Sequence, residues 1–460
     1  MRKSIFVLVA VICVLAVGCI SRQLEKDIRD YSDAERFGRP PQDVLLANDE
    51  TKAIAGNGTL GGYVMFALER NPAVRAARGR WLAAKTRVIT ESSLDDPMVT
   101  YGHFIEEVET RVGPQRDRLS VMQKIPAPPK LSLRGRAAAE AADAAEQEYR
   151  KAALDVAMKV KTSFCELYYV KKAAAITREN RDVLKNYVSI AQAQLRVAKA
   201  TQQDVLKAQV ELDKMENDLI VLEEQWEALL AEFNALLYRP LSSEVELPDD
   251  LDVSTDVTRL NDLYDKAVKK RPEILKANAA INRGKTMLAL AKLKRIPDLT
   301  LGVDWIMVSS ATAGNPPDSG RDAVQMSFGF NFPIWLNKLK AQELEARAML
   351  AVAVDMKNSA VANTLAQIKA IHYKYENAQR LEKLYADSLL PRARQSLKLA
   401  ETGYKAAQVD FLNLLDSQRT LLDFRLAHLR AAVDRRQRLA ELERAVGTSL
   451  DEDKTSGEQK

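Results

Sequence analysis

The residue types that most often carry catalysis or bind metals are few in this 460-residue chain. Three histidines and three cysteines are present: His103, His372, His428, Cys13, Cys19 and Cys165. None of them stands at the spacing of a metal site or of a redox-active pair. No glycine-rich phosphate loop and no paired catalytic cluster accompanies them. The sequence therefore predicts a protein that is not an enzyme and that has no metal site and no cofactor.

Composition and charge narrow the class of protein further. The 68 basic and 63 acidic residues are interspersed and leave a net charge of only +5, which gives no basis for a nucleic-acid partner. Glycine (18), proline (16) and aromatic residues (6%) are scarce, whereas the residues common in long helices fill most of the chain. The composition excludes a collagen-like, disulfide-rich or mainly disordered protein.

The N-terminal segment has the features of an export signal. Arg2 and Lys3 precede an apolar run at positions 5–17, which ends in the sequence Ala16-Val17-Gly18-Cys19. Residues 1–18 are predicted to be a signal peptide, residues 19–60 an N-terminal lipid-anchored linker, and Cys19 the acylated residue of a lipobox. A plain signal peptide cut nearby is the alternative. Cys165, the remaining thiol, is predicted to be buried packing.

An internal duplication organises the rest of the chain. The segment 67–74 (ALERNPAV) aligns with 267–274 (AVKKRPEI) at an offset of 200 residues, and Pro97 and Gly102 match Pro297 and Gly302 at the same offset. Farther on, the offset becomes 207 residues. A period of this length does not indicate a solenoid or propeller. Two repeats, at about 61–260 and 261–448, are predicted, with a flexible tail at 449–460.

Each repeat is predicted to contain two strands, at about 97–106 and 116–125 and at about 297–308 and 323–332. In the third and fourth strands, apolar residues alternate strictly with polar or small ones. A half-buried sheet would explain the alternation, but strands of about ten residues also suit a transmembrane barrel. The polar side chains would then line a water-filled lumen: Thr300, Asp304, Gln325, Ser327 and Asn331. Four strands cannot close a barrel, so several chains must contribute.

The helices are predicted to be very long. Positions 137–198 contain no glycine or proline, which predicts a rod of about 90 Å. Positions 341–402 are equivalent and are interrupted only at Pro391. Apolar residues in the return helix step by three and four residues, as in a left-handed coiled coil: Leu212, Met215, Leu219, Leu222, Trp226, Leu229, Phe233 and Leu236.

These features together resemble the TolC-like outer membrane channels of tripartite efflux and secretion systems. The resemblance covers about residues 61–448 and rests on Asn71-Pro72, Arg271-Pro272, Pro297-Asp298-Leu299 and the turn from Tyr404 to Arg419. It implies a mainly α chain with membrane β-strands, a homotrimeric twelve-stranded β-barrel and a helical periplasmic tunnel. It also implies a lipid-anchored protein of the bacterial outer membrane, with a periplasmic adaptor and, indirectly, an inner-membrane pump as partners.

The resemblance further places the channel entrance at the hairpin tips, at about 196–203 and 403–409. It implies an acidic ring at Asp416, with Asn413 where some members have a second acidic ring. The other implied entrance residues are Asp410, Asp204 and Tyr404, whereas Val409 stands where some members carry an arginine latch. For the aspartates the alternative is the solvated face of a long helix, and for Tyr404 it is packing.

Function is predicted as a passive exit duct for small molecules or metal ions. Two alternatives stay open: a type I protein secretion duct, and a trimeric coiled-coil surface protein without a channel. The second would explain the heptads but not the two pairs of alternating strands.

Overall fold

The structure, a computed structural model, describes residues 59–251, 259–314, 316–406 and 408–450, together with residues 25, 28 and 29. The predicted signal peptide, the lipidation site at Cys19, nearly all of the linker and the end of the tail lie outside this part of the chain.

The described chain runs twice through the same order of elements. The first copy comprises α1 (Leu60–Arg70), α2 (Pro72–Ser92), β1 (Met98–Val108), β2 (Gln115–Ile125), α3 (Pro128–Arg196) and α4 (Gln202–Leu237). The second comprises α5 (Leu260–Lys270), α6 (Pro272–Leu293), β3 (Leu299–Val308), β4 (Ala323–Phe330), α7 (Leu336–Leu384), a π-helical turn (Tyr385–Leu389), α8 (Leu390–Lys405) and α9 (Phe411–Val446). The predicted duplication, the four strands and the long helices are confirmed.

In both copies a proline separates the first helix from the second. Pro72 and Pro272 are the first residues of α2 and α6, a position that suits proline because its φ is already helical and its missing N–H is not needed there. The N–H groups of Asn71 and Arg271 close the preceding helices by donating to the carbonyl four residues earlier, at 2.8 and 2.9 Å. Among the helices of the described ranges, none combines the length and the hydropathy needed to cross a membrane.

The π-helical turn ends at Leu389, two residues before Pro391. At its end, the N–H of Leu390 donates to the carbonyl of Tyr385, five residues earlier. Pro391 has no N–H and cannot continue the ordinary ladder of hydrogen bonds. A single π turn absorbs this interruption without ending the helix, so the predicted interruption at Pro391 is confirmed and takes this form.

One compact unit includes residues 79–147 and 276–359 and contains the sheet. The four strands are antiparallel in the order β1-β2-β3-β4, with Val121 opposite both Val99 and Val303. Within the described residues, the outer edges of β1 and β4 pair with no further strand. Small residues let the adjoining helices approach closely: a Cβ on Gly284 would lie 3.1 Å from Cδ1 of Leu350.

The other compact unit includes residues 148–275 and 360–450 and the segment that ends at Arg78. Its largest apolar cluster contains Tyr63, Phe164 and Phe233, whose ring centroids lie 5.3 to 6.1 Å apart. The predicted heptad residues of α4 are buried or half-buried along the helix, which confirms the coiled-coil seam. Cys165 is also buried, as predicted, and burial raises the pKa of its thiol to about 12.

Candidate functional site

The second hairpin turn is closed tightly around Gly403. It lies between the end of α8 at Lys405 and the start of α9 at Phe411. The N–H groups of Gln408 and Val409 both donate to the carbonyl of Gly403, at 2.8 and 3.3 Å. A Cβ on Gly403 would lie only 2.4 Å from Cγ2 of Val409. Position 403 must therefore be glycine as long as the valine side chain fills this space.

Tyr404 lies inside the apolar cluster of this turn. Its ring centroid is 5.3 Å from that of Phe411, and only 7% of the residue is exposed. Burial raises the pKa of its hydroxyl, and the charges of Asp204 and Asp410 raise it further. Within the described residues the hydroxyl has no hydrogen-bond partner. The structure thus places Tyr404 as a packing residue, and its role in gating stays a prediction.

The side chain of Asp204 is not free, because it takes part in the N-terminal cap of α4. Its carboxylate accepts hydrogen bonds from the N–H and the hydroxyl of Thr201, at 2.9 and 2.8 Å. In return, Thr201 Oγ1 accepts from the N–H of Asp204 at 3.2 Å. This reciprocal capping box fixes the start of α4. The spacing Thr-x-x-Asp at 201–204 carried this information in the sequence, and the sequence prediction missed it.

Asn413 and Asp416 lie on one exposed face of α9. The opposite face buries Phe411, Leu414 and Leu415 in the apolar cluster of the hairpin tips. Asp410 is exposed at the N-cap position of α9, although its side chain makes no capping hydrogen bond. The structure therefore leaves the two acidic side chains of the second hairpin accessible. Their roles in a constriction, and that of Asn413, stay predictions.

A ladder of polar contacts joins α9 to α3, and sequence reasoning missed it. Arg425 donates to Glu179 at 2.6 Å, and both outer nitrogens of Arg430 donate to Glu166, at 2.8 and 2.9 Å. Further contacts of α9 with the first repeat are Gln418 to Asn180, Arg419 to Glu211, Lys161 to Glu443 and Arg444 to Asp155. Each ion pair takes its two charges from different repeats, so the ladder fixes which helices are neighbours.

Four of the polar residues predicted to line the lumen share one face of the β3–β4 pair. Cross-strand pairs place Gly302 opposite Ser327 and Asp304 opposite Gln325, and Thr300 belongs to the same face of β3. Asp304 is not a free carboxylate, because it is buried and accepts from Arg118 of β2 at 2.8 and 3.1 Å. This partner was not predicted.

Asn331 departs from the predicted pattern. The fourth strand was expected to reach position 332, but β4 ends at Phe330. The reason is local: Asn331 turns its Oδ1 to accept a hydrogen bond from the N–H of Asp298, just before β3. The residue therefore closes the end of the β3–β4 pair instead of extending the polar face of a strand. A position in the lumen stays a prediction for Asn331.

His103 makes a polar contact on the sheet. His103 Nδ1 lies 2.8 Å from Asp117 Oδ1, and the hydroxyl of Tyr101 donates to the same oxygen at 2.6 Å. In the part of the chain that the structure describes, no group of three or more His, Cys, Asp or Glu side chains could hold a metal ion.

The chain is similar to the cobalt-zinc-cadmium resistance protein CzcC of Cupriavidus metallidurans, with 21% identity over 296 residues that cover 64% of this chain and 68% of CzcC. It is also similar to the pyoverdine export outer membrane protein OpmQ of Pseudomonas putida, with 24% identity over 268 residues and 56% of each chain covered. The match thus spans little more than half the length of OpmQ.

The fold is that of solved outer-membrane channels. The structure of the channel OprN superposes with a TM-score of 0.72 at 18% sequence identity, over 90% of this chain and 98% of OprN. Residues 263–448, which contain β3, β4 and the second hairpin, match the family described as outer membrane efflux protein. The duplicated helix and strand order, the sheet and this match agree: the chain has the fold of these channels, and over residues 263–448 it is similar to outer membrane efflux proteins.

Proposed function

We propose that this protein is the outer membrane exit duct of a tripartite efflux system and that it works as a homotrimer. The observation that carries the proposal is the sheet, whose apolar face is exposed at Phe328 and Met326 and whose two edges lack partners within the described residues. Open strand edges and exposed aromatic side chains are costly in water and in lipid alike. Three copies would supply twelve strands and remove every edge.

Transport through this duct is passive. The polar face with Thr300, Asp304, Gln325 and Ser327 would line the lumen, and Asn331 would lie at its periplasmic end. The exposed carboxylate of Asp416 would form a ring of three at the periplasmic entrance, with Asp410 nearby. The hairpin tips would contact a periplasmic adaptor, which couples the duct to an inner-membrane pump. The energy for export then comes from the pump.

The exported substrate is a small molecule or a metal ion. CzcC is named for cobalt, zinc and cadmium resistance and OpmQ for pyoverdine export, so both classes occur among the similar proteins. We further infer that Cys19 carries the lipid anchor and that the chain resides in the bacterial outer membrane. The alternative functions are a type I protein secretion duct and a trimeric coiled-coil surface protein without a channel.

Mass measurement of the detergent-solubilised protein and conductance in planar bilayers test the proposal together. A trimer that conducts supports the exit duct, whereas a folded monomer or a trimer without conductance would contradict it. Phe328→Asp places a charge on the apolar face and should prevent insertion. Gln325→Asp places the same charge on the polar face of the same strand and should leave insertion intact. Survival of a deletion strain on metals, dyes and antibiotics would then identify the substrate class.

A further inference from the structure

A cavity of about 370 Å³ lies at the end of the sheet where β3 begins and β4 ends. The first turns of α3 and α7 and the last turn of α6 form its walls. Four of the lining residues are cations, and one is an anion: Lys130, Arg134, Lys294, Lys338 and Asp298. Trp335 stands at the same cavity. All of these residues belong to the compact unit of the sheet.

Lys130 and Asp298 form a fixed wall of the cavity. The Lys130 Nζ donates to Asp298 Oδ1 at 2.8 Å and to the carbonyl of Ile296, and the two side chains are only 7% and 11% exposed. Asp298 Oδ1 also accepts from the N–H of Ala127 at 3.3 Å. Because these two charges neutralise each other, the charge of the cavity is set by the other three cations.

Arg134, Lys294 and Lys338 have no acidic partner among the residues that the structure describes. Glu343 of α7 is paired with other cations, since it accepts hydrogen bonds from Arg295 at 3.2 Å and from Arg347 at 2.8 Å. Three uncompensated positive charges around one concave surface focus the field and favour a bound anion. Guanidinium and ammonium groups together are typical of phosphate binding.

Exposed apolar residues lie in the segment that contributes Pro333 and Trp335 to this cationic cavity. Phe332, Ile334, Trp335 and Leu336 follow β4 directly and are 69% to 75% exposed. Tryptophan beside apolar residues is enriched where a membrane meets water. Basic pockets at that level bind anionic lipid headgroups. Charge and hydropathy therefore point to one ligand that has both a phosphate and acyl chains.

We propose that this cavity binds the phosphate of an anionic phospholipid headgroup, in the membrane leaflet that meets the end of the sheet. The proposal rests on the proposed function, because it needs the sheet to lie in a membrane. The acyl chains would then lie along Trp335 and the apolar face of the sheet. Free inorganic phosphate carries the same anionic group as the lipid headgroup and is the alternative ligand of this cavity.

Native mass spectrometry of the solubilised protein tests this site. The protein is mixed with phosphatidylglycerol or phosphatidylcholine, and the retained lipid is counted per assembly. The test variant is Arg134→Gln/Lys294→Gln/Lys338→Gln. The matched control, Lys369→Gln/Lys374→Gln/Lys398→Gln, removes the same charge from exposed lysines on the long helices. The wild type and the control should prefer phosphatidylglycerol, and the test variant should bind it at least about tenfold more weakly.

Equal retention of the two lipids by the wild type, or equal loss in both triple variants, would overturn the site. Displacement of the lipid by millimolar inorganic phosphate, without any preference between lipids, would assign the cavity to free phosphate instead. Conductance is recorded on the same samples. A conducting assembly without lipid preference refutes this inference alone, whereas a protein that never enters a membrane refutes the proposed function with it.

Discussion

Arg444 and Glu273 form an ion pair of 2.7 Å that joins the last turn of α9 to the first turn of α6. The cation at the C-terminus of α9 and the anion at the N-terminus of α6 each interact favourably with the dipole of their helix. Arg444 also donates to Asp155 of α3, and Arg271 donates to Glu273 at 3.1 Å. A single guanidinium therefore connects helices of both repeats.

Glu273→Gln should lower stability in a pH-dependent way. Burial acts to raise the pKa of this carboxyl, but the hydrogen bond and charge of Arg444 and the charge of Arg271 dominate and lower it to about 2. A lowered folded-state pKa stabilises the fold above the unfolded-state value of about 4.5, and the effect fades as the pH falls towards 2. The expected loss at pH 7 is on the order of 2 kcal/mol.

Unfolding by denaturant, measured from pH 7 to pH 3, checks this expectation. Glu232→Gln, an exposed glutamate of α4, is the control and should change little at any pH. A loss of stability by Glu273→Gln that stays constant down to pH 3 would mean that the carboxylate is not held by the arginines.

Asp416→Asn should reduce cation preference in planar bilayers. Three carboxylates around one axis attract cations, and a narrow entrance screens them little. Asn413→Asp adds a carboxylate on the same exposed face and should shift selectivity in the opposite direction. Asp423→Asn, exposed farther along α9, serves as control. Unchanged permeability ratios in both entrance variants would assign Asp416 to a solvated helix face.

The capping box of α4 predicts coupled effects at Thr201 and Asp204. Removing either side chain breaks the same reciprocal hydrogen bonds, so Thr201→Ala and Asp204→Ala should each cost about 1 kcal/mol. The double variant should cost clearly less than the sum, as measured in a double-mutant cycle of unfolding. Additive losses would show that the two residues act separately and would favour a distinct role of Asp204 at the entrance.

Gly403→Ala should destabilise the second hairpin tip, because its Cβ would meet Val409 at 2.4 Å. Val409→Ala shortens the opposing side chain and should restore most of the stability in the double variant. Hydrogen exchange of the amides around the turn reports both effects. Failure of the double variant to recover would mean that backbone conformation, rather than this contact, requires glycine.

Cys19→Ala should abolish labelling of the protein by radioactive palmitate or another acyl precursor. The apolar face of the sheet is an independent membrane signal, so assembly in the membrane should persist. Cys165→Ala is the control, since its buried thiol should leave labelling unchanged. Persistent labelling of Cys19→Ala would rule out this lipidation site.

The sequence contained the elements but few of their contacts. Alternation with a period of two was enough to find β3 and β4, and the lack of glycine and proline was enough to find α3. The partner of Asp304 could not be found this way, because Arg118 lies 186 residues away and the pairing depends on the register of β2 against β3. The ladder of polar contacts between α3 and α9 was not predicted for the same reason, because its partners are far apart in sequence.

The site predictions were likewise limited to what the local sequence shows. Through the resemblance, the turn motif pointed to Asp416, which is exposed on α9. It did not show that Asp204 is engaged in a capping box, although that motif is local and readable. Nor did it show the cluster that encloses Tyr404, because the cluster also needs residues of the first hairpin, such as Val205.

The π-helical turn changes which side chains of the second hairpin are buried. Before the turn, buried side chains follow steps of three and four residues, at Ile368, Ile371, Tyr375 and Ala378. After the turn the same steps resume at Leu390, Ala393, Leu397, Ala400 and Tyr404. Uninterrupted steps would have turned Leu389 and Arg392 inward instead. The extra residue rotates the following helix by about 100° relative to a regular α-helix. Deleting one residue within 385–389 should therefore bring the buried positions before and after the turn into one continuous apolar stripe, while Pro391 still removes one hydrogen bond from the helix.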